Sequence, residues 1–150
     1  MAWMRIRIDD SYFTQLELEL LSTLNSDRAR RGVNKIIADM CYPYVPVKTG
    51  NLRDSVAVGP KEIQWRTEYA RYQYYGFVYR PNFFIGYNPD TGEAMFRSPK
   101  GKLKYPTSIP LTYHKGGGAF WLETMLAQKS AEMDKRITDY LVDECKRRGL

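Results

Sequence analysis

Apolar and polar positions alternate at the start of the chain and then switch to a helical step. Trp3–Ile8 puts Trp3, Arg5 and Arg7 on one side and Met4, Ile6 and Ile8 on the other, the period-two pattern of a half-buried or edge strand. Asp9, Asp10 and Ser11 then offer polar caps. Leu16, Leu20 and Leu24, joined by Leu18 and Leu21, form an i, i+4 stripe that predicts a helix. Asn25-Ser26-Asp27 interrupts the stripe, and a second helix capped by Ser26 or Asp27 is expected to run through Val33, Ile36, Ile37 and Met40. It should stop near Cys41, because Pro43 and Pro46 lack amide donors and push the residues before them out of helical geometry.

The most patterned turn follows, Val45–Val58, which reads VPVKTGNLRDSVAV. Gly50 is free to take a positive φ, Thr49 can cap a short turn with its hydroxyl, and Leu52 can fold back into a core. From Ser55 strand character begins. Val56 and Val58, then Ile63 and Trp65, alternate with polar neighbours on either side of Gly59-Pro60, which predicts an antiparallel hairpin. Tyr69–Gly76 is dense in tyrosine, and periodicity leaves open whether it is two turns of helix or another strand. Phe77–Tyr79 and Phe83–Tyr87 resume strand character, and Asn88–Gly92 is a turn leading to Ala94–Phe96, a second hairpin. Residues 98–113, with Pro99, Pro106 and Pro110, are expected to be an irregular connection, and Gly116-Gly117-Gly118 a flexible joint.

The last element is expected to be a helix from about Ala119 to Arg147, on which Trp121, Leu122, Met125, Leu126, Met133, Ile137, Tyr140 and Leu141 recur at helical steps. Together these elements predict one α+β domain over residues 1–150. Its expected form is an antiparallel sheet of about four or five strands, packed on one face by the N-terminal helices and the long C-terminal helix.

Composition narrows the chemistry. Of the formal net charge of +6, four units lie in residues 76–118, where Arg80, Arg97, Lys100, Lys102, Lys104 and Lys115 face only Asp90 and Glu93. A basic arm at about 77–118 on a near-neutral domain can meet an acidic protein surface, phosphates or water. Arg28, Arg30 and Arg31 fall at the start of the second helix, where the helix dipole disfavours cations, so they form a second candidate interface. No apolar run reaches the length of a membrane span, and the N-terminus lacks a signal-peptide pattern, so a soluble protein made in a cytoplasm is expected. Cys41 and Cys145 have no partner at metal-ligand spacing and are expected to be reduced structural thiols.

Catalytic sets are thin. The single histidine, His114, stands beside the triglycine stretch, and no nucleophile elbow, phosphate loop or paired zinc-ligand motif occurs. Neither an enzyme nor a cofactor is therefore expected. A small nuclease or toxin would need His114 and would lose its activity on His114→Ala. A basic nucleic-acid-binding module would use Tyr72, Tyr74, Tyr79, Arg80 and Lys100–Lys104, because exposed aromatics beside cations stack and neutralise single strands.

Pro46-Val47-Lys48-Thr49-Gly50-Asn51-Leu52-Arg53-Asp54-Ser55, followed at about fifteen residues by Tyr69-Ala70 and then by Tyr74-Tyr75-Gly76, resembles the signature of tailed-bacteriophage neck, minor capsid or tail-completion proteins. Phe120-Trp121-Leu122 matches the start of that family's C-terminal helix. The likeness covers roughly residues 33–78 and 119–145, and the 77–118 arm is longer than the shared pattern requires. It implies that Pro46, Thr49, Gly50, Leu52, Ser55, Tyr69, Ala70 and Gly76 define the fold. It also implies a non-enzymatic virion protein of the head-tail junction that assembles as a ring. The expected partners are copies of itself and head-connector and tail proteins, with DNA passing transiently and no membrane.

Overall fold

A computed structural model describes residues 3–47, 50–80, 83–97, 105–113 and 116–150. The chain is a mixed helix and strand protein built from small antiparallel sheets and a long C-terminal helix. The first strand is β1 (Met4–Arg7), followed by helices α1 (Gln15–Leu24) and α2 (Asp27–Cys41) and a short helical turn α3 (Asn51–Asp54). Strands β2 (Val56–Val58) and β3 (Glu62–Trp65), the two-turn helix α4 (Ala70–Tyr75) and strand β4 (Phe77–Arg80) come next. Strands β5 (Phe83–Tyr87), β6 (Ala94–Arg97) and β7 (Tyr105–Pro110) lead to helix α5 (Trp121–Arg147).

The two N-terminal helices start where side chains can satisfy their free amides. Thr14 and Glu17 form a reciprocal capping box on α1, and Ser26 accepts from the Ala29 amide to cap α2. Asp9–Ser11, expected to cap α1, instead make a short 3-10 turn over Asp10–Tyr12. The true cap lies a few residues later because Thr14 has Glu17 at the spacing a capping box needs. α2 ends at Cys41 as the prolines demand, and α4 resolves the tyrosine-rich stretch as helix.

The sheet is smaller than its sequence pattern suggested. The largest has three strands in the order β1-β3-β2, and β4-β7 and β5-β6 form two separate pairs. The reason lies in burial: β1 and β3 alternate buried and outward positions, whereas β7 is open almost throughout. Strands without an apolar face gain nothing by joining the core sheet. Residues 105–110, expected to be irregular, are thus strand β7, whose Pro106 and Pro110 suit an edge position.

Met4, Ile6, Ile63 and Trp65 on the inner face of the three-stranded sheet share one core with Val33, Ile37, Leu122, Met125, Ile137 and Leu141 from α2 and α5. α5 lies mainly across α1 and α2 and meets the sheet at its first turn, where Trp121 touches Trp65. Gly32 leaves the room on α2 into which the Tyr140 ring of α5 packs. At the far end, Glu144 of α5 pairs with Arg28 at 3.5 Å and with Arg147 at 2.9 Å. Both cysteines are buried as free thiols, and burial pushes the Cys41 thiol up to about 12.

Glu17 links α1 to α5 electrostatically. It is fully buried, its Oε2 accepts the Thr14 amide, and its other carboxylate oxygen has no hydrogen-bonding protein donor. Loss of water, then the neighbouring Asp134 carboxylate of α5, raises its pKa to about 7. A group raised in the folded state stabilises fully below its unfolded value, and that stability is lost as pH rises through the folded value. The urea midpoint is therefore expected to fall as pH rises from about 4.5 to about 7. Glu17→Gln, which keeps the shape without the charge, should flatten that part of the profile. An unchanged profile in the variant would assign the dependence elsewhere.

Candidate functional site

The chain doubles back between α2 and β2 through the patterned turn, and the structure shows what fastens it. Gly50 stands at φ 88° before α3, and Leu52 points into the core at 4 % exposure. The Arg53 guanidinium donates to the Val45 carbonyl at 2.8 Å and to the Pro43 carbonyl at 3.1 Å, and lies over the Tyr42 ring at 5.0 Å. The end of α2 is thereby clasped to α3. Ser55 continues the clasp, donating from Oγ to the Leu52 carbonyl and accepting the Arg66 amide at the end of β3. Pro46 is buried beside them. Thr49 lies outside the described residues.

α4 forms the second fastening. Ala70 is wholly buried, Tyr69 stands exposed at the helix start, and Gly76 ends the helix at φ 78°. A Cβ at Gly76 would sit 2.8 Å from the Ala119 Cβ, so both the backbone angle and the close approach call for glycine. Tyr74 donates its hydroxyl to Glu123 of α5, and its carbonyl accepts the Phe120 amide at 2.8 Å. Tyr74 meets Trp121 edge-on at 4.6 Å and Phe120 at 5.5 Å. Burial, and then the Glu123 carboxylate, hold its phenol proton on well beyond the ordinary tyrosine range.

These two fastenings hold both roots of the arm. The chain leaves the core at Gly76 and returns where the Leu111 amide donates to the Gly76 carbonyl and the Tyr113 hydroxyl to the Gln73 carbonyl. The triglycine stretch, expected to be a flexible joint, is docked. Val47 donates to the Gly116 carbonyl, Gly118 donates to the Tyr44 carbonyl, and a Cβ on Gly117 would come 2.5 Å from the Val45 carbonyl oxygen.

Beyond its roots the arm is a ribbon. β4 pairs with β7, where Thr107 donates to the Val78 carbonyl, and β5 pairs with β6 around the Asn88–Gly92 turn. β5 carries Phe84, Ile85 and Tyr87 at 55 %, 56 % and 68 % exposure, and Tyr105 and Ile109 are exposed on β7. Arg80 and Arg97 stand exposed at the ends of β4 and β6. Lys100, Lys102 and Lys104 lie outside the described residues, as does His114.

The predicted residues therefore fall into separate groups. Pro46, Gly50, Leu52, Ser55, Ala70 and Gly76 gather around the arm's roots, while Arg80 and Arg97 lie out along it. Arg28 is engaged within the fold by Glu144, whose carboxylate answers the unfavourable charge at the start of α2. Arg31 is exposed and Arg30 half-buried. Tyr74 is only 3 % exposed, which withdraws it from any base-stacking role. Sequence reasoning missed the bracing by Arg53, whose acceptors are backbone carbonyls and leave no trace in residue type. It also missed the apolar character of the arm, although adjacent Phe84 and Ile85, which cannot share one sheet face, were a visible sign.

Among the described residues no His, Cys, Asp or Glu cluster could hold a metal ion, and no helix is long and apolar enough to cross a membrane. A braced core thus carries an arm with exposed apolar side chains. The model of the family described as minor capsid protein matches residues 19–104, more than half of the chain, and the chain belongs to that family. It is thus a phage structural protein and a component of the virion. Comparison with curated proteins and with solved structures finds no match.

The clasp predicts a stability effect. Arg53→Ala removes two charge-assisted bonds to carbonyls and should cost about 2 kcal/mol in urea unfolding. Arg53→Lys should restore little of it, because an ammonium lacks the planar fork that spans two acceptors. Full recovery with lysine would mean that charge alone holds the turn.

Proposed function

We propose that this minor capsid protein is a subunit of a homo-oligomeric ring at the head-tail junction of the phage particle, and that it acts through contacts and not through catalysis. The observation that carries this reading is the β5–β6 hairpin. A two-stranded hairpin is marginal in water unless another surface covers it. Here Phe84, Ile85 and Tyr87 are more than half exposed, with Phe84 and Tyr87 meeting edge-on at 5.3 Å. A neighbouring subunit supplies the missing cover.

A closed ring needs a heterologous contact, in which one face of a subunit meets a different face of the next. An arm anchored to the core where the Leu111 amide bonds to the Gly76 carbonyl offers a face distinct from the core and suits that geometry. Aromatic and aliphatic side chains supply the contact energy, and the exposed Arg80 and Arg97 form its basic rim, facing an acidic surface of a head-connector or tail protein; Lys100, Lys102 and Lys104 add positive charge to the same segment of the sequence. Arg30 and Arg31 form a second contact on the body of the subunit.

Light scattering at high protein concentration and electron microscopy with purified head and tail particles test this reading. The wild-type chain should assemble or bind particles. Replacing Phe84, Ile85 and Tyr87 together by Ser, Thr and Ser should abolish this while leaving thermal unfolding close to wild type, since exposed positions contribute about 0.5 kcal/mol or less. A wild-type chain that stays monomeric and binds neither particle overturns the proposal.

A further inference from the structure

The three-stranded sheet is apolar within and basic without. β1 turns Arg5 and Arg7 outward on either side of buried Ile6, opposite Gln64 and Glu62 of β3. The Arg5 guanidinium lies 5.6 Å from the centre of the Trp3 ring, and that of Arg66 lies 5.4 Å from it. Arg66 donates from Nε to Gln64 at 2.9 Å, and Gln64 donates to Glu62, so a chain of hydrogen bonds holds Arg66 against the sheet. One depression of about 520 Å³ is lined in part by Arg7, Lys61 and Arg66, and a second, of about 470 Å³, by Trp3, Arg5, Arg71 and Tyr75. They adjoin through the paired Arg5 and Gln64. Their combined lining holds five cations, all exposed, and the single carboxylate of Glu62.

So many like charges on one small face repel one another in the free subunit, and an anionic partner relieves that repulsion. Three features point to the kind of anion. Four of the five cations are arginines, whose planar fork matches phosphate oxygens. The centre of the face is charged, whereas protein-docking patches are depleted of charge at their centre; the most exposed run of apolar side chains, Phe84, Ile85 and Tyr87, lies on the arm instead. The Trp3 ring is already engaged by two guanidinium groups, so it is not free to stack the unpaired base a single strand would offer.

We infer that the outer face of β1 and β3 docks the phosphate backbone of double-stranded nucleic acid without reading its sequence. Arg5, Arg7, Lys61, Arg66 and Arg71 take the phosphates. The surface is separate from the arm, and the inference does not rest on ring formation.

Fluorescence anisotropy of the full chain with a labelled random-sequence DNA duplex, titrated at salt concentrations from about 50 to 200 mM, tests it. Five phosphate contacts give a slope of log K against log salt of about −4.5. Arg5→Gln with Arg66→Gln should reduce the steepness by about 2 and weaken binding at least about tenfold at low salt, with circular dichroism confirming the fold. Should that pair fail to fold, Arg7→Gln with Arg71→Gln serves the same purpose. Lys135→Gln with Lys146→Gln, which removes the same net charge from exposed positions of α5, should leave affinity within about twofold. No binding at low salt, equal losses from the sheet and α5 pairs, or equally tight binding of polyglutamate would each overturn the inference. The last outcome would identify an acidic protein partner.

Discussion

Trp121 is the contact on which the rest depends. It is fully buried at the first turn of α5 and receives Trp65 of β3 edge-on at 5.3 Å and Tyr74 of α4 at 4.6 Å. β3 and α4, neighbours in sequence, meet the distant α5 at this one ring. Aromatic pairs in such geometry contribute about 0.5–1.5 kcal/mol each beyond the area they bury. No side-chain cap starts α5, and Phe120 enters it in the left-handed region at φ 51°. That conformation is unfavourable for a bulky residue, and it persists here because the Phe120 ring packs on Tyr74 and Tyr75 while its amide bonds to the Tyr74 carbonyl.

The aromatic contact also explains how an exposed arm stays aimed. Tyr74 lies two residues before Gly76, where the arm departs, and Phe120 lies where the chain has returned to the core. Fixing these two points, together with the Arg53 clasp and the docked glycines, gives the ribbon a rigid base. The shared turn motif thus acts on the fold, fastening the end of α2 to α3 and the triglycine stretch.

Charge is arranged with the same separation. Residue counts placed most of the excess in the arm, yet the fold gathers Arg5 and Arg7 with Lys61, Arg66 and Arg71, two separate stretches of chain, onto one face. Near the end of α5, Glu144 pairs with both Arg28 and Arg147. Net charge by segment is a poor guide wherever strands bring distant residues into register.

What the chain determined by itself is local. The alternation from Met4 to Ile8, the cap at Ser26, the prolines after Cys41, the hairpin through Ile63 and Trp65 and the long stripe of α5 each follow from spacing, because each depends on neighbours a few residues away. The turn and Tyr-Ala elements were enough to indicate a minor capsid protein. Tertiary structure decided the rest. It chose helix for the tyrosine-rich stretch, where Ala70 and Tyr74 are buried one turn apart, and it divided the strands among three sheets, burying one face of β1 and β3 while leaving Phe84, Ile85 and Tyr87 of β5 exposed. It turned the glycines into a docked segment and assembled the basic face, since hydrogen bonds to distant carbonyls and cross-strand register are set only when separate segments meet.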